Sequence, residues 1–216
     1  MKKDIEVAKK RLFETLRRDI DDERVLQVME AVPRESFIPL DKRHLAYENI
    51  PLPIGEGQMI SQPYVVAIMT SALNLQPNDK VMELGTGCGY QAAILSLLIP
   101  HGKIVTLERI PKLANSAQDL LRHLKYHNVD VRISDRSLGC PEEALFDAII
   151  VTAAAPSVPM VLLNQLRVGG RIVIPIGTLE EQELVSIHNG DQGITLTSFG
   201  PCRFVPLIGE GAWDEG

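Results

Sequence analysis

The stretch Val-Met-Glu-Leu-Gly-Thr-Gly-Cys-Gly-Tyr-Gln-Ala, from Val81 to Ala92, constrains the fold more than any other part of the chain. Its apolar run, 81–84, is bounded by Pro77-Asn78-Asp79 on one side and three glycines on the other. That pattern predicts a buried strand entering a tight loop. Behind the glycines, residues 90–99 are apolar on most faces, which predicts a helix packed on a sheet. Strand, glycine loop and helix form a nucleotide-binding unit. Gly85, Gly87 and Gly89 allow positive φ and a close approach of backbone to ligand, and the amides at the helix start supply donors. The glycines alone decide little, because Gly87-x-Gly89-x-x-Ala92 also fits the loose dinucleotide pattern.

Two acids narrow the ligand. Glu83, at the mouth of the strand, would repel a pyrophosphate but suits a ligand that carries a sulfonium and an ammonium and no phosphate. About twenty residues on, Val105-Thr106-Leu107-Glu108 ends a second strand in an acid placed to accept two hydrogen bonds from a ribose diol. S-adenosyl-L-methionine is therefore the expected cofactor.

At 216 residues the chain is long enough for one substantial core and too short for two comfortable domains. A formal charge of −6 provides no broad basic field for a phosphate backbone, so nucleic acid is not an expected partner. No apolar run reaches membrane-spanning length, and Met1-Lys2-Lys3-Asp4 leads into an amphipathic pattern and not a signal-peptide core, so no membrane association is expected. Cys88, Cys140 and Cys202 are scattered without metal spacing, in keeping with a reducing cytoplasm. Cys88 reads as a small side chain that fits its loop. A monomer is expected.

Ile5, Ala8, Leu12, Leu16 and Ile20 recur at helical spacing, which predicts an amphipathic first helix. Asp21 or Asp22 is placed to cap a second helix, 23–31, that Pro33 stops. From 49 to 62, Pro51, Pro53, Gly55 and Gly57 break any regular element while Leu52, Ile54, Met59 and Ile60 keep the stretch apolar, so this loop is expected to lie over something. It ends in Ser61-Gln62-Pro63-Tyr64, a helix-start signal ahead of 65–73, in which Ser61 reads locally as an N-cap.

Strand 103–107, helix 111–124, strand 129–133, a loop through Cys140-Pro141, strand 146–151, helix 158–166, turn Gly169-Gly170 and strand 171–176 continue the alternation. The fold class is thus α/β, a Rossmann-like, doubly wound and mostly parallel sheet. The turn Thr152-Ala153-Ala154-Ala155-Pro156 falls at a strand's carboxyl end, where open α/β sheets bind ligands. Segments 183–188 and 194–199 flank Asn189-Gly190-Asp191-Gln192-Gly193 and read as a hairpin of antiparallel edge strands. One methyltransferase-type domain, 1–216, is expected, with N-terminal helices and a substrate loop in 1–80, a cofactor-binding core in 81–176 and edge strands and tail in 177–216. His123 and His127 share a helix face at spacing four but lack a third ligand, and no metal is expected.

The run Ile54-Gly55-Glu56-Gly57-Gln58-Met59-Ile60-Ser61-Gln62-Pro63-Tyr64, the loop Glu83 to Ala93, the stretch Phe146-Asp147-Ala148-Ile149-Ile150-Val151-Thr152-Ala153-Ala154 and the tail Arg203-Phe204-Val205-Pro206-Leu207 resemble protein-L-isoaspartate O-methyltransferases. The likeness runs from about Ala31 to Leu207, and its Ser61 segment is specific to that family. The resemblance implies methyl transfer from S-adenosylmethionine to the free carboxylate of L-isoaspartyl, and less well D-aspartyl, residues in damaged proteins and peptides. The ester then collapses to a succinimide from which the normal linkage re-forms.

It further implies that Ser61 touches the acceptor carboxylate, and that Glu83, Gly85, Thr86, Gly87 and Gly89 hold the methionine part of the cofactor. By the same resemblance Glu108 holds the ribose, Asp135 lies near the adenine amine, and Gln62, Thr152, Ala153, Ala154 and Arg203 frame the substrate. A carboxylate with a pKa near 4 is already ionised at pH 7, so no general base is required. Two positions depart from the family pattern. Arg136 stands where a glycine is usual, which predicts a bulky cation beside the adenine contact, and Met59 replaces the usual threonine before the serine. They motivate an alternative, a cofactor-binding paralogue with lost turnover or another methyl acceptor.

Overall fold

The computed structural model describes residues 2–214; Met1, Glu215 and Gly216, which fall within the expected domain, lie outside them. Helices α1 (Lys2–Leu16) and α2 (Glu23–Ala31) open the chain. On α1, Leu12 and Leu16 are buried, as the spacing predicts, together with Phe13, while Glu6, Lys10, Arg11 and Glu14 are exposed; the helix stops at Leu16, so Ile20 is buried beyond its end. Asp22 caps α2 by accepting from the Val25 amide at 3.1 Å, and the helix ends at Val32 ahead of Pro33. Two 3-10 turns, Arg34–Phe37 and Leu40–Leu45, lead to a hairpin of β1 (Leu52–Gly55) and β2 (Gln58–Ile60) and then to α3 (Pro63–Ala72).

The sheet follows: β3 (Lys80–Leu84), α4 (Tyr90–Leu98), β4 (Lys103–Glu108), α5 (Pro111–His123), β5 (Val129–Ile133), β6 (Phe146–Val151), α6 (Met160–Leu163), β7 (Leu166–Gly177), β8 (Gln182–Gly190) and β9 (Gly193–Cys202). Spatial order is β5-β4-β3-β6-β7-β8-β9, with β3 to β7 parallel and β8 and β9 antiparallel at one edge. Both faces of the parallel strands are covered. Val81, Ile104 and Ile150 join one apolar cluster with Leu26, Met29 and Ile94, while Met82, Val105 and Ile149 join a second with Ile172 and Ile174. Burial on two sides is why these strands read as continuous apolar runs, each buried Leu or Ile contributing about 1.5–3 kcal/mol. Strand order reverses between β3 and β6, which opens a crevice at their carboxyl ends.

Four expectations are corrected. The 49–62 segment is not free of regular structure: Glu56 and Gly57, both at positive φ (50° and 70°), make a two-residue turn that pairs Leu52 with Ile60 and Pro53 with Met59. The helix expected at 158–166 shrinks to Met160–Leu163, because Pro159 forces an extended start and Leu166 is captured by pairing with Phe146. Gly169 and Gly170 are not a turn ahead of a strand but an irregularity within β7, where a Cβ on Gly170 would sit 2.9 Å from the Asp147 carbonyl. His123 and His127 do not share a helix face, since α5 ends at His123 and Lys125 turns into positive φ (67°).

Candidate active site

The crevice between β3 and β6 is sealed by Thr152. Its amide donates to the Leu84 carbonyl (2.9 Å), and its hydroxyl lies 3.0 Å from that carbonyl and 2.8 Å from the carbonyl of Gly85. With these partners the hydroxyl is committed to the protein, and it is the surface of the side chain that faces the cavities. Gly85 is held at φ +97°, where a Cβ would overlap the Thr152 hydroxyl, so only glycine fits. The Gly85 and Thr86 amides donate to the Leu107 carbonyl (2.8 and 3.2 Å), which lashes the glycine loop to β4.

The two acids are held in contrasting ways. Glu108 accepts from the amides of Gly87 (2.9 Å) and Ile110 (3.0 Å), one to each oxygen, so the carboxylate is aimed before any ligand arrives. Glu83 is fully buried. Its Oε2 accepts from the Thr106 hydroxyl at 2.6 Å, and that hydroxyl sits 2.7 Å from the hydroxyl of Thr86. Oε1 has no hydrogen-bond partner among the described residues. Burial pushes the Glu83 carboxyl up to about 8; the charge of Glu108 adds to this, and the Thr106 hydrogen bond opposes it. An unpartnered buried acceptor facing a cavity is what a cationic ligand group would satisfy, so these residues fit S-adenosylmethionine.

Three cavities meet here. The first, with about 700 Å³ of empty space, is lined by Gly85, Gly87, Glu108, Asp135, Thr152 and Ala153 among others. The second is bordered by Ser61, Glu83, Gly85, Thr86, Gly87 and Thr152, and the third by Ser61, Gln62, Thr152 and Arg203. Ser61 borders the second and third, and Met59 and Thr152 border all three. Two predicted site residues border none of them. Gly89 (φ +88°) packs on α5, where a Cβ would meet Leu121 at 3.1 Å. Ala154 is buried and pins the tail, donating to the Val205 carbonyl and accepting from the Leu207 amide, both at 2.8 Å.

Ser61 is not the N-cap its local sequence suggests. Gln62 occupies the cap position of α3 without a side-chain bond, and the Asn49 carboxamide oxygen accepts from the Tyr64 amide at 2.9 Å. Asn49 was missed in the sequence because it lies fifteen residues before the amide it caps. The β1–β2 hairpin lies over the glycine loop: a Cβ on Gly87 would approach Ile54 to 3.2 Å, and Glu56 at the tip pairs with Lys112 on α5 at 2.6 Å. Asp135 accepts from the amide (2.8 Å) and hydroxyl (2.5 Å) of Ser137, which holds its carboxyl below the usual range. Arg136, expected to crowd this spot, turns away. Its guanidinium pairs with Asp214 at 3.0 Å, and its carbonyl accepts from the Glu210 amide.

Sequence reasoning also passed over Gln165, whose side chain binds the Cys140 amide (2.6 Å) and the Leu138 carbonyl (3.1 Å) and so shapes the loop behind Asp135. It passed over Arg34 as well, a fully buried arginine whose Nη2 donates to the Ser61 carbonyl at 2.8 Å. Arg34 carried a weak signal, a cation set between Val32-Pro33 and the apolar Phe37-Ile38.

Comparison with known proteins adds the following. The family model described as protein-L-isoaspartate(D-aspartate) O-methyltransferase matches residues 7–212. Protein-L-isoaspartate O-methyltransferase 1 of Syntrophobacter fumaroxidans is 46% identical over 209 residues, covering 96% of this chain and 97% of its own. The protein-L-isoaspartate O-methyltransferase of Desulfosudis oleivorans is 49% identical over 199 residues, covering 92% and 89%. A solved protein-L-isoaspartate O-methyltransferase superposes with a TM-score of 0.82 at 26% identity, over 94% of this chain and 67% of that one. A Plasmodium falciparum structure assigned to the same activity, in complex with S-adenosyl-L-homocysteine, superposes with a TM-score of 0.77 at 28% identity, covering 91% and 96%.

Proposed function

The chain belongs to the protein-L-isoaspartate(D-aspartate) O-methyltransferase family, and from that membership we propose that the junction of its three cavities at Ser61 is where an isoaspartyl carboxylate is methylated. The protein is an S-adenosylmethionine-dependent methyltransferase that acts on L-isoaspartyl residues of damaged proteins and so begins their repair. The observation that carries the site assignment is that Ser61 borders both the cavity of Glu83 and the cavity of Gln62 and Arg203, with no capping duty to perform.

Bound S-adenosylmethionine supplies an electrophilic methyl group on a positively charged sulfur. In our reading Gly85, Thr86 and Gly87 line its methionine part and Glu83 faces its cationic groups. Glu108, already oriented by two amides, accepts from the ribose, and Asp135 lies toward the adenine. Gly89 and Ala154 act from behind, the one by letting α4 pack close to α5 and the other by holding the tail. The acceptor arrives ionised and needs no base, so the work left to the protein is to orient it and exclude water. Ser61 donates one hydrogen bond to the carboxylate, Gln62 and Arg203 border the peptide, and the β1–β2 hairpin covers the reacting atoms. A neutral donor orients an anion without adding a second buried charge.

We further propose a single domain over 1–216, a monomer, no nucleic-acid partner and no membrane association, and residence in the cytoplasm, where the three free cysteines would stay reduced. No helix among the described residues is long and apolar enough to cross a membrane.

Ser61→Ala tests the assignment. Its kcat/KM for an isoaspartyl peptide is expected to fall by about ten- to a hundredfold, the scale of one hydrogen bond to a charged group, with the Kd for S-adenosylhomocysteine unchanged. Unchanged turnover would move the acceptor away from Ser61.

A further inference from the structure

We propose that Arg34 is a positioning residue for the methyl acceptor: by gripping the Ser61 carbonyl it fixes where the Ser61 hydroxyl meets the carboxylate. The inference rests on the reading of Ser61 given above. Arg34 leaves only 1% of its surface exposed, and it donates to two main-chain carbonyls, Ser61 through Nη2 at 2.8 Å and Ala46 through Nε at 3.0 Å. Nη1 makes no hydrogen bond among the described residues. The guanidinium lies over the ring of Tyr90, 4.8 Å from its centroid, and Tyr90 in turn meets Phe37 edge-on at 5.5 Å.

Burying a cation against carbonyls and a ring is a costly way to fill space, and an apolar side chain of similar length would fill it with less desolvation. What the arginine adds is geometry. Its rigid fork presents two N–H groups at a fixed angle, and a lysine ammonium could not face both carbonyls in the same way. The fork links three pieces that sequence keeps apart: the segment after α2, the Ser61 strand end and the first residue of α4. Tyr90 directly follows the glycine loop, so the same side chain ties the wall around Ser61 to the wall that borders Glu83. The charge also has the sign that attracts an acceptor carboxylate. It is felt at the cavity wall, where it works against the burial that raises the Cys88 thiol.

A double-mutant cycle decides whether Arg34 acts through Ser61. Arg34→Met, Arg34→Lys, Ser61→Ala and each Arg34 variant combined with Ser61→Ala are assayed for kcat/KM on an isoaspartyl peptide, with calorimetric Kd for S-adenosylhomocysteine as control. Arg34→Met is expected to lose roughly ten- to a hundredfold in kcat/KM while the Kd stays within about threefold, and Arg34→Lys to recover part of the loss. In the Ser61→Ala background the same substitution is expected to cost less than about threefold, because the hydroxyl it positions is gone. An equal loss in both backgrounds, or an Arg34→Met enzyme as active as wild type beside an impaired Ser61→Ala, overturns the proposal. If circular dichroism shows Arg34→Met unfolded, the Arg34→Lys arm is judged by the same two criteria. A fully active Ser61→Ala single variant overturns the Ser61 reading itself, and the proposal with it, and that arm alone tells the two failures apart.

Discussion

In the site as proposed, the cofactor wall and the acceptor wall are built by different means. The cofactor wall is made of strand ends: Leu84-Gly85, Leu107-Glu108 and Val151-Thr152 are placed by parallel pairing, and the amides of the glycine loop hang on the Leu107 carbonyl. The acceptor wall has no such scaffold. The Ser61 segment is a short hairpin and a helix start, held by the Asn49 cap, the Glu56–Lys112 pair and the Arg34 fork. A wall fixed by sheet register tolerates few substitutions, whereas a wall fixed by separate clasps can be loosened one clasp at a time.

The largest effect should come from the register-fixed wall. Gly85→Ala places a Cβ against the Thr152 hydroxyl at a positive φ, and is expected to cost about 3 kcal/mol in stability and roughly a hundredfold in cofactor affinity. Urea melts and calorimetry read the two losses. A near-normal Gly85→Ala would erase the contrast between the walls.

A smaller effect concerns Glu83 and pH. The carboxyl titrates near 4.5 in the unfolded chain and near 8 when folded, so the unfolded state binds fewer protons between those values. The stability tied to its protonated form is fully present below about 4.5 and is lost as pH rises through 8. Glu83→Gln, which cannot ionise, should therefore gain about 1 kcal/mol or more on the ligand-free wild type between pH 5 and 8.5, as read by melts at both values. A gap that does not change with pH would mean that Glu83 is ionised throughout. For the clasps, Lys112→Ala removes an exposed pair that solvent screens, and the KM for the isoaspartyl peptide is expected to rise by at most about threefold in steady-state assays. Smallest of all, Arg136→Gly should leave the Kd for S-adenosylhomocysteine within about twofold, because Arg136 points toward Asp214.

The same contrast explains what could be read in advance. Strands 129–133 and 146–151 appear as expected, and Glu108 stands at the end of β4, because apolar runs, glycines and terminal acids are local signals. The glycine loop was legible for the same reason, although the role of Gly89 was not, since its neighbour Leu121 lies 32 positions away. On the acceptor wall the Ser61 N-cap reading failed because the capping group comes from Asn49. Arg136 looked obstructive because its partner, Asp214, lies 78 positions on. Arg34 went unread because a buried arginine differs from a solvated one only in what folds around it. The hairpin within 49–62 was hidden by its prolines and by a turn that puts a non-glycine residue, Glu56, at positive φ.

The most direct test of the account follows label from S-adenosylmethionine into one peptide made in two forms, isoaspartyl and normal aspartyl, with the wild-type protein. The account predicts base-labile label on the isoaspartyl form alone. A protein that binds the cofactor and labels neither peptide, or both equally, would contradict it.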